Sequence, residues 1–332
     1  AAEFDLGNVS ARGGAGAGAQ GGAAGTIYLK DQASGEDVIN IDNGTLGFNT
    51  GETHITGVNS SKLSISGSKV RFIGETEFQS DVAVTDSYII QEGTTTISGG
   101  YNFTGSTLEQ AGDLVLPNNS ITVDGWTWIM SGVKSWNSIE IKNSGKITQP
   151  TEAANKLDLT VVDLVIESGS SLDVSNKGLL PSGTGIRYGG SHGGLGGAGG
   201  SDGSSGTPND VHGNVYQPTD FGSGGYCEAM LIRGGGSLKL SVTNELLLDG
   251  NIISNGQGYV GTDSSPNCGG GSGGSVWLDV NTIRGAGTIA ANGGNAKKYY
   301  SGGGSGGRIA VYYQNAAEFD LGNVSARGGA GA

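Results

Sequence analysis

Three segments, GNIISNGQG (250–258), GTIAANGGN (287–295) and GNVSARGGA (322–330), share one pattern, a short apolar strand and then a glycine turn, returning after 37 and 35 residues. The pattern leads through a variable loop into a glycine run and a second strand. GGGSGGSVWLDV ends at Val280, GGGSGGRIAVYY at Tyr313 and the weaker GGAAGTIYLK at Lys30. An earlier member joins GSSLDVSNKG (169–178) to GGGSLKLSV (234–242) across a long insertion, about 179–233. Four units therefore follow one plan.

Within that plan Ile27, Leu238, Val276 and Ile309 fall in one column, and Leu29, Leu240, Leu278 and Val311 in another two positions on. Successive strand side chains alternate faces, so both columns are expected to point inward as a core ladder, with Tyr28, Lys239, Trp277 and Ala310 pointing outward. A unit of 33 to 38 residues that cannot bury its own apolar column must stack on its neighbours. The expected fold is all-β: a parallel β-helix, or β-solenoid. A right-handed coil is expected because parallel crossover connections almost always take that hand. Glycines are expected at the corners, where they supply positive φ and close backbone approach.

Residues 1–17, AAEFDLGNVSARGGAGA, recur unchanged at 316–332, an offset of 315. The expectation is a window on a tandem array of 315-residue units in which the β-helix runs on between copies. Its parts are a glycine-rich coil at 1–30, plain coils at 31–162, glycine-loop coils at 163–315 and the start of the next copy at 316–332. Residues 31–162 keep the strand grammar without the GGGSGG signature, in pieces such as KLSISGSKVRFIG and TTTISGGYNFTG, and their spacing suggests coils of about 20 to 25 residues. Identical copies in one chain, or separate subunits exchanging terminal coils, both fit the duplication. The expected partners are the previous and next repeats, with neighbouring fibrils or glycans beyond them.

Glycine supplies 66 of 332 residues, yet there is no G-X-Y period, which excludes collagen, and the strands between glycine runs exclude a featureless linker. The formal charge of −13 argues against nucleic acid, which demands a basic face. No run of 18 apolar residues is present, so no helical membrane span is expected.

The strand, ANGG-type turn, loop and GGGSGGRIAVYY resemble the glycine-rich β-helical repeats of very large secreted surface proteins, mainly over 163–313 and the duplicated end. The resemblance implies secretion and a structural or adhesive role at the cell surface. It carries no catalytic residues.

Candidate chemistry is sparse. Cys227 and Cys268 lie in glycine-rich insertions; they pair in an oxidising compartment if the fold brings them within about 7 Å, and otherwise remain free thiols. Glycosylation sequons stand at Asn8, Asn43, Asn59, Asn102, Asn118 and Asn323. His192, Asp202, Asp210 and His212 share the long insertion, but their spacing matches no metal motif, and neither metal nor other cofactor is expected. Trp126 and Trp128 share one strand face, with Trp136 following; core packing and a sugar-binding shelf are both open, with packing favoured. Parallel β-helices also host polysaccharide-cleaving enzymes built on clustered carboxylates. Here Asp173 and Asp279 have no visible partner one coil away. No catalytic residue is assigned, and the chain is expected not to be an enzyme. The leading expectation is an extracellular structural filament or stalk, the second a repetitive adhesin that binds glycans through its insertions, the third a polysaccharide-active enzyme.

Overall fold

A computed structural model of the chain describes residues 9–16, 21–46, 51–152, 154, 156–201, 203–228, 230–259, 267–297 and 300–332. Strand takes 47% of the described residues and helix 3%, so the fold is all-β, with long parallel sheets. Two compact units divide at Ile129/Met130.

The first unit opens with β1 (Ile27–Lys30) and then runs in rungs of three short strands. β2 (Asp37–Asp42), β3 (Glu52–Thr56) and β4 (Asn59–Ser60) make one rung, and β5 (Lys62–Ser66), β6 (Lys69–Ile73) and β7 (Thr76–Phe78) the next. β8 (Val82–Thr85), β9 (Tyr88–Gln91) and β10 (Thr95–Ile97) follow, then β11 (Tyr101–Thr104), β12 (Thr107–Gln110) and β13 (Leu114–Val115). β14 (Ser120–Asp124) and β15 (Thr127–Met130) complete the run up to the division. Corresponding strands pair in parallel, so Ile41, Ile65, Val84 and Phe103 form one inward ladder, and Thr53, Val70, Ile89 and Leu108 another.

The rung length corrects the expected spacing. Val38 pairs with Lys62, a step of 24, but Leu63 pairs with Val82 and Tyr88 with Thr107, steps of 19. Three strands of two to six residues need only short corners, and these corners repeat as Ser66-Gly67-Ser68, Thr85-Asp86-Ser87 and Thr104-Gly105-Ser106. Gly67, Asp86 and Gly105 all take positive φ. The serine after each is buried and stacked, with the Ser68 amide donating to Ser87 Oγ and the Ser87 amide to Ser106 Oγ, each at 3.1 Å.

The second unit uses rungs of one long and one short strand. β16 (Gly132–Lys142) leads to β17 (Lys146–Thr148), and β18 (Leu157–Ile166) to β19 (Ser171–Asp173). The insertion carries the small antiparallel pair β20 (Thr184–Gly185) and β21 (Gly206–Thr207). Then come β22 (Ser237–Leu248) with β23 (Asn251–Ile253), β24 (Ser275–Gly285) with β25 (Thr288–Ala290), and β26 (Arg308–Phe319) with β27 (Val324–Ser325). The long strands stack in parallel with Leu157, Leu238, Val276 and Ile309 in one column and Leu159, Leu240, Leu278 and Val311 in the next. Ile147, Leu172, Ile252, Ile289 and Val324 form the short-strand column.

Leu238, Leu240, Val276 and Leu278 are fully buried. Ile309 and Val311 are half-buried, because β26 is the edge strand of its sheet. Ile27 and Leu29 depart further from the expected ladder. β1 pairs antiparallel with β2, Ile27 opposite Asn40 and Leu29 opposite Val38, and both side chains are half-buried. The six-residue link from Lys30 to Asp37, closed by the Asp31 amide donating to the Glu36 carbonyl, is too short for a parallel crossover and turns the chain straight back.

The glycine tracts are not corners. Gly269 to Gly274 run through the interior of the second unit, and none of these residues takes positive φ. Their amides point outward in three directions with a period of three residues. Gly269 and Ser272 donate to Tyr226 and Ser223, Gly270 and Gly273 to Gly302 and Ser305, and Gly271 and Gly274 to Gln257 and Ser254. Three further segments donate back, Gly190 to the Gly270 carbonyl, Gly294 to that of Gly271 and Gly235 to that of Ser272. Three residues per turn is the period of polyproline II. One tract is thus hydrogen-bonded to six neighbours, and a Cβ on Gly270 would overlap the Gly294 carbonyl oxygen.

Candidate functional site

The insertion threads back into this bundle and brings His192 and His212 together. His192 is wholly buried, its ring centroid 4.8 Å from that of His212. The His192 Nδ1 lies 2.9 Å from the Gly273 carbonyl, three residues beyond the Gly270 carbonyl that takes the Gly190 amide. An imidazole N–H thus stands in for the next backbone amide in the three-residue pattern. With Nδ1 donating, Nε2 is a lone-pair nitrogen; it is buried without a hydrogen-bond partner. Burial pushes the His192 pKa down to about 4, against the raising effect of the Gly273 carbonyl, so the ring is neutral at pH 7. His212 Nε2 lies 3.0 Å from the Phe221 carbonyl, and Arg308 Nε donates to the His212 carbonyl at 2.9 Å.

Asp210 contributes only its carbonyl, 3.3 Å from His212 Nδ1, and Asp202 lies outside the described residues. Among the described residues no three His, Cys, Asp or Glu side chains converge as metal ligands. The arrangement is a packing device built around the neutral His192 ring.

Cys227 and Cys268 form a disulfide with Cα atoms 4.1 Å apart. It clamps the insertion to the start of the 269–274 tract, where the Gly269 amide already donates to Tyr226. The scattered carboxylates serve as ion-pair and surface groups. Asp173 takes Lys146 Nζ at 2.5 Å, and exposed Asp279 stands in register with Ser241 and Tyr312. Glu52 is held by Arg71 and Lys69, which keep its pKa near 2.

Trp126, Trp128 and Trp136 are all buried. Trp128 Nε1 donates to Gln110 Oε1 at 2.9 Å, and the Trp126 ring packs 5.0 Å from Phe103, so these faces are core rather than a shelf. Outward, Lys239 lies 5.2 Å over the Trp277 ring while bonding Asp158 at 2.9 Å.

Of the sequons, Asn59, Asn102 and Asn118 are exposed and Asn323 is half-buried. Asn43 is buried, its side chain accepting from the Gly13 amide and donating to the Gly22 carbonyl, which leaves no exposed amide for a sugar. Asn8 lies outside the described residues.

The residues that matter most to the stack escaped the motif reading. The Asn255 amide donates to Ser175 Oγ, the Asn292 amide to Asn255 Oδ1 and the Arg327 amide to Asn292 Oδ1, at 2.7 to 2.9 Å. One position of the turn motif, SNGQ or ANGG, thus bonds rung to rung. Its recurrence at 255 and 292 was the available signal.

No family model matches the chain, and neither do any curated protein or solved structure. No helix among the described residues is long and apolar enough to cross a membrane.

Proposed function

We propose that this chain is a structural element of an extracellular filament or stalk, in which 315-residue units stack end to end as one long β-solenoid. The observation that carries this reading is the glycine tract 269–274, whose consecutive amides and carbonyls bond six neighbouring segments. Such a bundle resists shear in every lateral direction, while the parallel ladders carry load from rung to rung. The disulfide suits an oxidising compartment, and exposed sequons at Asn59, Asn102 and Asn118 offer sites for a sugar coat.

The test is the axial repeat of the native assembly, measured by imaging. Unbroken density rising about 50 to 65 Å per 315-residue unit is expected, from roughly 11 to 14 rungs at about 4.8 Å each. Discrete particles with free ends would refute the filament.

One observation favours an adhesive role beside the structural one. Tyr216 is 72% exposed on the insertion, and its carbonyl accepts from the hydroxyl of exposed Tyr312 at 3.0 Å. Two exposed tyrosines held close by this bond offer aromatic faces that suit sugars. A glycan screen in which Tyr216→Ala abolishes a hit would establish adhesion, and a blank screen of the intact chain would remove it.

A further inference from the structure

The two copies of the duplicated segment do different work with the same residues. In the first copy, the Gly25 amide donates to the Ala11 carbonyl at 2.6 Å and the Gly22 amide to the Gly14 carbonyl at 2.8 Å. The same bonded pair closes the internal rungs, Gly307 to Ala291 and Gly304 to Gly294, and before them Gly274 to Ser254 and Gly271 to Gln257. Residues 9–16 with 21–27 are therefore one more rung of the glycine-tract kind. The Arg12 side chain pairs with Asp42 and the Gly13 amide donates to Asn43 Oδ1.

The second copy turns other atoms to the preceding rung. Ser325 and Arg327 carbonyls accept from the Ala291 and Gly293 amides at 2.9 and 2.8 Å. The Arg327 amide donates to Asn292 Oδ1 and the Gly329 amide to the Gly304 carbonyl. In the numbering of the second copy, the first copy's bonds use the carbonyls of Ala326 and Gly329, the amide of Gly328 and the guanidinium of Arg327. No atom serves both sets. One segment can make all of these bonds at once.

Two amides mark the other half of the joint. Gly303 and Gly306 are the counterparts of Gly270 and Gly273, which donate to Gly302 and Ser305 of the following tract. The amides of Gly303 and Gly306 have no acceptor among the described residues. By the same alignment, the residue set against Gly306 in a following tract is Ala23. Beside them Gly328, Gly329 and Gly331 line a groove with Gly302 and Gly303. Both flanking strands are also open at one edge, β26 on the side away from β24 and β1 on the side away from β2.

We propose that this face receives the next copy of the unit. Residues 324–331 take in that copy the place of its own residues 9–16, and Arg308–Tyr313 pairs in parallel with its Ile27–Lys30, Ile309 beside Ile27 and Val311 beside Leu29. The pairing carries the buried columns Leu238–Val276–Ile309 and Leu240–Leu278–Val311 across the joint and covers the side chains that stand half-buried on each side. It leaves β1 bonded to β2 through its other edge. The inference rests on the filament reading, since it names that filament's joint.

The test uses the 332-residue chain with Tyr28→Cys and Ala310→Cys, two outward positions that the register sets side by side. Adjacent strands lie about 4.8 Å apart, within the roughly 4.4–6.8 Å Cα span of a disulfide. Oxidation is expected to link chain to chain into a ladder of multiples on a denaturing gel. Tyr28→Cys with Tyr312→Cys, two residues out of register and about 6.6 Å further along the strand, is expected to link at least about tenfold less. Equal linking by both pairs, or no linking at all at high chain concentration, would overturn the joint. Filaments of the expected rise without the 28–310 link would overturn the joint and keep the filament. Linked particles that stop at two copies would keep the joint and refute the filament.

Discussion

Gly304 and Gly194 lie in neighbouring tracts and differ in what surrounds them. A Cβ on Gly304 would overlap the Gly271 carbonyl oxygen, whereas the nearest atom to a Cβ on Gly194 is Ser305 Cβ at 3.9 Å. Gly304→Ala is therefore expected to cost about 3 kcal/mol, and Gly194→Ala to stay within about 0.5 kcal/mol, read as shifts in Tm. His192 makes a second residue-scale prediction. Its folded pKa, about 4, lies below the ordinary 6.5, so the unfolded chain takes the proton first. Its contribution is complete above pH 6.5 and is lost as the pH falls toward 4, a loss on the order of 3 kcal/mol. Asp220, Arg308 and His212 are the charged or titratable groups acting on it. His192→Gln is expected to flatten the fall in Tm over that window, whatever its effect at neutral pH. Glu52 titrates in a separate, lower window, its stabilisation present above pH 4.5 and lost toward 2.

At the scale of elements, strand alternation was legible and tract packing was not. Leu238, Val276 and Ile309 fell into one column because strand side chains repeat every two residues and the apolar ones mark the buried face. A run of glycines has no side-chain pattern, so its three-residue hydrogen-bond period leaves no trace in GGGSGG. The 19-residue rung of the first unit was readable in the recurring corner at Gly67, Asp86 and Gly105, where positive φ demands glycine or a short polar residue. The disulfide belongs to this scale because it ties the insertion to the central tract. Replacing Cys227 and Cys268 by Ser removes a constraint on a 41-residue separation. The thermal melt is expected to show a loss of about 4 kcal/mol on the loop-entropy model.

For the whole molecule, the governing quantity is the number of backbone groups bonded between segments distant in sequence. Apolar ladders hold one side of the β22, β24 and β26 rungs, and the glycine bundle holds the other with amides and carbonyls. A tract crowded on six sides cannot adapt to a side chain by shifting outward, so its composition is dictated by space rather than by turn geometry. Mechanical strength along a stack then follows from many modest bonds acting together, each worth about 1 kcal/mol.

From the sequence alone came the all-β class, the stacking steps of 37 and 35 residues, the inward columns of the second unit and the identity of the two end segments. These are local or periodic properties, written in which side chains are apolar and how far apart they stand. The tertiary structure alone decided the antiparallel turn-back of Ile27–Lys30, the burial of Asn43 and His192, the pairing of Cys227 with Cys268 and the direction of every glycine amide. Each depends on what a distant segment places beside that residue. A glycine, which presents only its backbone, carries no mark of that neighbour in its own identity.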